Sequence, residues 1–147
     1  MAPVTMSLAI EPQGEARGRA TSVGGHARIY TPAKTRAYRA QLATLAAPHR
    51  PADPLLGPLR VEIVAVFSRP QRMQRVSKRT GEVLGGYSAA ECPHTAKPDA
   101  DNIAKAVLDA LASWWGDDAQ VADLRVVKRY VAIGEGARLD VRISRVE

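Results

Sequence analysis

The stretch from Asp99 to Trp114 constrains the fold more than any other part of the chain. Its apolar residues recur at intervals of four, three and four, which predicts a helix with one buried face. They are Ile103, Val107, Ala110 and Trp114. Asp101, Lys105 and Asp109 fall about 40° apart on the opposite face. The helix must therefore cover an apolar layer while it presents charged side chains to solvent, and Gly116 ends it.

Four other runs have the composition of β-strands. They are Val4–Ile10, Leu59–Ser68, Asp123–Ile133 and Arg138–Val146. The first run alternates apolar and polar residues over most of its length, and the other three are rich in β-branched residues. The glycine-rich residues 134–137, which separate the last two runs, indicate a hairpin.

A second helix is predicted from about Pro32 to Ala46. Thr31 fits an N-cap before a proline, and Tyr38, Leu42 and Leu45 fall on one face of this helix. The elements then follow one another in the order β-α-β-α-β-β. We expect an α/β (α+β) fold, in which two helices cover a mixed sheet of about four strands.

The composition favours one globular domain over residues 1–147. The chain length lies within the ~100–200 residues of a typical domain, and a hydrophobic content of 46% supports a core. Cys92 is the only cysteine, which excludes an intrachain disulfide and a cysteine-based zinc cluster. Residues 1–10 lack the pattern of a secretory signal, and no window approaches the ~18 apolar residues of a membrane span. We therefore expect a cytoplasmic protein with no membrane partner.

The charge is distributed unevenly along the chain. The net charge is +6 at pH 7. Residues 1–98 contain fourteen basic and six acidic side chains, whereas residues 99–147 contain seven basic and nine acidic ones. A basic body around a small acidic cluster suits a protein that attracts a polyanion and holds a divalent cation against it.

Two basic segments lie outside the predicted helices and strands. Residues 11–29 have no helical period and are predicted to form a loop or an irregular hairpin. Residues 69–98 are longer than the ~12–15 residues of an ordinary connection, which favours a functional role. We expect phosphate contacts from both segments, and a merely solvated basic loop at 69–98 is the alternative. The basic residues singled out are Arg17, Arg19, Arg69, Arg72, Arg75, Lys78, Arg79 and Lys97.

Two aspartates separated by one residue stand at the start of the helix predicted over Asp99–Trp114. Capping explains one of Asp99 and Asp101. A second acidic pair, Asp117 and Asp118, makes the set larger than capping requires, and close like charges imply a cation or a shifted pKa. About 15 helical residues span ~22 Å, so only a tertiary arrangement can bring Asp118 back to the helix start.

The string from Lys97 through Leu111 to residues 117–121 and 126–129 resembles the RusA-type Holliday junction resolvases. Residues 17–19 and 30–36 are similar to the phage-like branch of that family. The resemblance implies a homodimeric endonuclease of mixed α/β fold that resolves four-way DNA junctions by paired symmetrical nicks. It also implies dependence on Mg²⁺, which Mn²⁺ could replace.

The resemblance further implies roles for individual residues. Asp99, Asp101 and Asp118 match the acidic metal-binding positions of the family, and Lys105 matches its active-site lysine; these four would be catalytic. Two other functions stay open. One is a catalytically silent DNA-binding module whose aspartates cap the helix, and the other is a nuclease that prefers other branched DNA. The complete set of aspartates and lysine argues for the enzyme.

Overall fold

The computed structural model describes residues 1–15, 19–30 and 32–147. The strands are β1 (Val4–Leu8), β2 (Arg19–Val23), β3 (His26–Tyr30), β4 (Leu59–Phe67), β5 (Cys92–Pro93), β6 (Val121–Tyr130) and β7 (Arg138–Arg145). The α-helices are α1 (Ala33–Ala46) and α2 (Ala100–Ala110). Short 3₁₀ turns include Ala112–Trp114 and Asp118–Gln120. Thr31, the predicted N-cap of α1, lies outside the described residues.

Five strands form one mixed sheet in the order β1-β7-β4-β6-β5. β4 runs parallel to β6 and antiparallel to β7, and β2 and β3 form a separate antiparallel hairpin. The predicted fold class is therefore confirmed, with five strands in the sheet instead of about four. The additional strand, β5, has only two residues, which is too short to show an alternating pattern.

The prediction of a hairpin between the last two strands is wrong. β6 and β7 do not pair with each other because β4 lies between them. β4 has the most deeply buried side chains of the sheet, including Leu59, Val61 and Ile63. In the centre of the sheet, both edges of β4 pair with a neighbouring strand, and β4 is the strand that buries the most apolar surface. Gly134, at φ +86°, reverses the chain, but turn chemistry alone does not decide which strands become neighbours.

The core lies between one face of the sheet and the two helices. α1 buries Tyr38 and Leu42, and α2 buries Ile103 and Val107 as its apolar spacing predicts. Trp114 is also buried, but it belongs to the 3₁₀ turn that follows α2. None of the described helices combines the length and the apolar composition needed to cross a bilayer.

Candidate active site

The two aspartates at the start of α2 are available for chemistry. Asp99 occupies the N-cap position, but its side chain makes no capping hydrogen bond. Its carboxylate lies 3.3 Å from the Lys97 ammonium in an exposed ion pair. Asp101 is exposed, and no hydrogen bond or ion pair joins its side chain to another described residue. Helix capping therefore does not account for either carboxylate.

Lys105 lies one turn further along the same face of α2. Its Nζ atom is 3.4 Å from Oδ2 of Asp109, and most of its side chain is exposed. The solvent-facing row Asp101, Lys105 and Asp109 predicted from the sequence is thus present in the structure. The structure brings together Asp99, Asp101 and Lys105 at the first turns of one helix.

A buried network behind Lys105 was not predicted from the sequence. Arg39 of α1 donates to Oε1 of Glu15 and, at 3.3 Å, to Oδ2 of Asp109. The Glu15 side chain is only 7% exposed, and its backbone N–H donates to the Asn102 carbonyl at 3.0 Å. Residues 11–15, α1 and α2 therefore meet directly behind the lysine.

The protonation of Glu15 is coupled to this network. Burial raises the pKa of Glu15 above its ordinary value of 4.5, and a hydrogen bond to Asp109 and the charge of Asp109 raise it further. Arg39 and Lys105 oppose the rise. Oε2 of Glu15 is buried and has no donor among the described residues. Glu15 and Arg39 carry no local signal in the sequence, since their partners lie far along the chain.

Asp118 lies at the other end of α2. It is exposed, and its Oδ1 atom accepts a hydrogen bond from Trp115 Nε1 at 3.0 Å. Asp117 caps the short turn before β6 by accepting from the Ala119 N–H at 2.8 Å.

The path of β6 defines how far Asp118 is from the first two aspartates. The Lys128 ammonium donates to the Ala96 carbonyl at 2.7 Å, so the segment that leads into α2 starts beside the carboxyl end of β6. Asp118 precedes the amino end of β6, and the strand covers roughly 23 Å from Val121 to Lys128. Within residues 1–15, 19–30 and 32–147, no group of three or more His, Cys, Asp or Glu side chains could hold a metal ion.

The donor chemistry at the start of α2 suits a hard divalent cation. Mg²⁺ takes oxygen ligands, and in nucleotide-dependent sites one or two carboxylates commonly bind it together with substrate phosphates and waters. Asp99 and Asp101 supply two such carboxylates on an exposed surface, where a phosphate can approach. Two carboxylates bind such a cation only together with further oxygen donors.

A groove with a mainly apolar lining adjoins the two aspartates. It has a volume of about 430 Å³, and Lys34, Lys97, Gln13 and Asn102 are among its lining residues. Two lysines and two amides in a groove of this size can accept the phosphates of a nucleic-acid strand. Lys97 lies beside Asp99, and its contact with DNA stays a prediction.

Arg69 has a structural position that the sequence prediction did not anticipate. It is only 4% exposed, and its guanidinium donates to the carbonyls of Val131, Ser88 and Ala90 at 2.6–2.7 Å and of Met73 at 3.1 Å. These bonds tie the long segment to the chain after β6. With its donors occupied in this way, Arg69 is unsuited to a phosphate contact, and we remove it from the predicted DNA-binding set.

The other basic residues of the long segment project into solvent. Arg72, Arg75, Lys78 and Arg79 are all exposed. The hydroxyl of Ser77 accepts hydrogen bonds from the Arg79 and Thr80 N–H groups at 3.3 and 3.2 Å, which fixes the turn that presents Lys78 and Arg79. Of the two arginines predicted upstream, Arg17 lies outside the described residues and Arg19 begins β2.

Comparison with known proteins defines the class of enzyme. The sequence model of the family described as Endodeoxyribonuclease RusA matches residues 9–144, which places the chain among the endodeoxyribonucleases. The chain belongs to the RusA family. It is 31% identical over 137 residues to the Bacillus subtilis protein named Uncharacterized protein YqaN, with 92% of each chain covered.

Relatives with a named activity match a shorter part of the chain. The Escherichia coli K12 protein named Crossover junction endodeoxyribonuclease RusA is 47% identical over 58 residues. A protein of Enterobacteria phage 82 with the same name is also 47% identical over 58 residues. Each match covers 37% of this chain and 47% of the relative, so this chain spans about half the length of these named relatives.

Proposed function

We propose that this protein is a Mg²⁺-dependent endonuclease that resolves four-way DNA junctions by paired symmetrical nicks. The observation that carries the proposal is the group of Asp99, Asp101 and Lys105: the two carboxylates cap nothing, and they lie beside a groove lined in part by Lys34 and Lys97. The names of the RusA relatives support junction DNA as the substrate class. A silent DNA-binding module is disfavoured, since its aspartates would be expected to cap α2.

Each residue of this group has a distinct chemical task. Asp99 and Asp101 supply the oxygen ligands for the cation. A bound Mg²⁺ lowers the pKa of an attacking water and neutralises charge at the scissile phosphate. Lys105 stabilises the negative charge that develops on the phosphate, and Asp109 holds the lysine on the same side of the helix. Lys34 and Lys97 position the strand by contacts to neighbouring phosphates.

We further propose that the active form is a two-fold dimer in which Asp118 of the partner subunit completes the carboxylate set. The separation of Asp118 from the start of α2 within one chain supports this arrangement. Two opposed cuts in a junction require two sites, and a two-fold dimer supplies them.

The substrate experiment compares a labelled four-way junction, a flap, a nicked duplex and linear duplex in Mg²⁺ and in EDTA. We expect paired nicks in the junction at the highest rate, none in EDTA, and none with Asp101→Asn. Faster cleavage of the flap would show that the preferred substrate is another branched DNA and not the four-way junction. Binding to the junction without cleavage over long incubation would instead support the silent module.

A complementation experiment tests whether the site is shared between subunits. Asp101→Asn and Asp118→Asn chains are each expected to be inactive, and a mixture that exchanges subunits should recover nicking. If the site is shared, each mixed dimer contains one intact set of carboxylates. If each chain completes its own site, every site in the mixed dimer lacks one aspartate, and activity stays absent.

A further inference from the structure

The long segment 69–98 exposes an aromatic ring. Tyr87 is 36% exposed. Of the other aromatic side chains whose exposure the structure describes, all are buried; they are Tyr38, Phe67, Trp114, Trp115 and Tyr130. Buried aromatic rings contribute heavily to the stability of a core, so a ring left in solvent while the others are covered is informative. Tyr87 therefore offers a flat apolar surface to a ligand.

The backbone beside Tyr87 holds the ring in one place. Gly85 and Gly86 have positive φ angles of +82° and +77°, and this turn folds the ring back onto Gly85. A Cβ atom at residue 85 would lie 2.9 Å from Cε2 of Tyr87, well inside the ~3.5–4.0 Å of a normal carbon–carbon contact. Only glycine fits at this position. The ring therefore rests on the backbone of residue 85, and its exposed part has a fixed position.

Arg69 ties the residues after Tyr87 to the body of the protein. Its guanidinium donates to the carbonyl of Ser88, the next residue along the chain, at 2.6 Å. The carbonyl of Ala89 in turn accepts a hydrogen bond from the Ile133 N–H at 2.9 Å. The buried arginine thus has a role in the long segment, because it fixes where the exposed ring lies.

The surroundings of Tyr87 are basic. Residues 69–90 contain five basic side chains, and Glu82 is the single acidic one. The Leu84 N–H donates to the Arg75 carbonyl at 2.7 Å, which brings Arg75 beside the turn that carries the ring. A surface that combines basic side chains with an aromatic ring is typical of a nucleic-acid site, where the charges contact phosphates and a base stacks on the ring. The exposed basic residues are Arg72, Arg75, Lys78 and Arg79.

The long segment begins near the acidic pair. Glu11 accepts hydrogen bonds from the N–H and the hydroxyl of Ser68 at 3.0 and 2.7 Å. Four residues later, the Glu15 N–H donates to the carbonyl of Asn102 in the first turn of α2 at 3.0 Å. Five residues span at most ~18 Å, a distance that a DNA strand covers in about five nucleotides at ~3.4 Å each. DNA bound at the two aspartates therefore passes within several nucleotides of the long segment.

An exposed aromatic ring selects DNA whose bases are not already stacked. In a continuous duplex each base is covered by its neighbours on both faces, so a ring on the protein surface has no base face to contact. Unstacking a base costs least where it is unpaired or mismatched, and a branch point interrupts the stack. Stacking is also tolerant of sequence, since every base has a π-face. A ring of this kind therefore recognises a branch by its shape and not by its sequence.

We propose that Tyr87 is a stacking platform for an unpaired base at the branch point of the DNA. The exposed basic residues of the long segment hold the flanking phosphates. This inference rests on the proposed function, because it takes branched DNA as the ligand, and it assigns to Tyr87 a share of the preference for branched over linear DNA. Arg69 and Gly85 are positioning residues, since they place the ring and do not contact DNA.

Removing the ring and removing the base, separately and together, tests this contact. Binding is measured by fluorescence anisotropy in EDTA, so that no DNA is cleaved. The ligands are a four-way junction, the same junction with an abasic site at each branch-point nucleotide in turn, and linear duplex. We expect Tyr87→Leu to weaken binding to the intact junction about 10-fold. The variant should lose little affinity once the abasic site replaces the stacked base, and linear duplex should bind both proteins equally.

Control variants separate stacking from a general apolar contact. Tyr87→Phe and Tyr87→Trp keep a ring and should bind the junction as the wild type does. Leu84→Ala removes a side chain that is 49% exposed in the same turn but has no ring, and it should leave the affinity unchanged. Wild-type affinity of Tyr87→Leu would overturn the proposal. An equal loss on the intact and on every abasic junction would also overturn it, because the contact would then not involve a base.

Photo-cross-linking tests the same contact in the unaltered protein, independently of how the variants fold. 5-Iododeoxyuridine is placed at each branch-point position, the complex is irradiated, and the cross-linked peptide is identified by mass spectrometry. We expect a cross-link to Tyr87 from the branched DNA and none from the same nucleotide within linear duplex. Cross-links to other residues alone would contradict the stacking platform.

Failure of the platform and failure of the proposed function give different results. If the wild type cleaves junctions in Mg²⁺ and Tyr87→Leu binds and cleaves them equally well, the platform is refuted and the nuclease proposal stands. Ring-dependent binding to branched DNA, without cleavage of any substrate by the wild type, would confirm the platform and refute the nuclease. A wild type that binds no branched DNA would refute both.

Discussion

The start of α2 and the segment 69–98 are both rich in charged residues, but the exposure and the hydrogen-bond partners of their charged side chains differ. At the start of α2, Asp99 and Asp101 are exposed and do not cap the helix. In the long segment, Arg69 is buried among four carbonyls, whereas the basic side chains from Arg72 to Arg79 are exposed. Residue type therefore does not separate a structural arginine from one available to phosphate. The two kinds of arginine are separated by the hydrogen-bond partners that each side chain has in the folded chain.

The largest effect is expected from Asp101→Asn, which tests whether the exposed aspartates are functional. The change removes a ligand charge while it keeps the shape of the side chain. We expect cleavage of a four-way junction to fall by ~10³-fold or more, with binding retained or strengthened. The measurement is single-turnover cleavage in Mg²⁺ together with a gel-shift titration. Cleavage at the wild-type rate would refute the assignment of this carboxylate.

Arg69→Met tests the contrasting structural role in the long segment. It removes the donors for four carbonyls, and the buried ones are left without hydrogen bonds, so we expect the free energy of unfolding to fall by about 3 kcal/mol. Arg72→Met is the matched control and should change stability by less than about 0.5 kcal/mol. Urea denaturation gives both values. Equal stability of the two variants would remove the distinction between the buried and the exposed arginine.

Lys105→Ala separates chemistry from attraction within the α2 site. One lysine among 21 basic residues contributes little to total affinity, but it acts directly on the reacting phosphate. We expect the cleavage rate to fall ~10²-fold, with junction affinity changed only a few-fold. If the cleavage rate and the affinity fall by the same factor, Lys105 is an ordinary contact to the DNA phosphate backbone.

The four exposed basic residues of the long segment should act through salt-dependent binding. Replacing Arg72, Arg75, Lys78 and Arg79 together with Ser should weaken junction binding. The log–log dependence of affinity on salt should flatten by about 0.9 for each duplex phosphate that is no longer neutralised. The salt series is measured on wild type and variant side by side, with oligomeric state checked in both. An unchanged slope would identify the segment as a solvated loop.

The smallest effect is expected at Glu15, whose proton lies in the network behind Lys105. Burial raises the pKa of Glu15 above 4.5, so its contribution to stability is complete at low pH and is lost as pH rises through the folded-state pKa. Glutamine does not titrate. The free energy of unfolding of the wild type, relative to that of Glu15→Gln, should therefore decline as the pH rises above the ordinary pKa of 4.5 and through the higher folded-state pKa. A constant or rising difference would contradict the raised pKa.

Local pattern sufficed where one element contains the whole signal. The spacing of Ile103 and Val107 predicted the buried face of α2, and the charged row Asp101, Lys105 and Asp109 follows from the same period. The alternating first run and the three β-branched runs predicted the four main strands of the sheet. Local pattern did not predict β5, which is two residues long, and it wrongly predicted that β6 pairs with β7.

The sequence by itself thus determined the helices, the main strands and the charged row at the start of α2, because periodicity and residue type act within a few neighbouring positions. Only the tertiary structure decided that β4 separates β6 from β7, that Arg69 is buried, that Glu15 and Arg39 support Asp109, and that Asp118 lies far from Asp99. Each of these depends on contacts between residues distant along the chain. Such contacts are set by how the whole core packs, which no short stretch of sequence encodes.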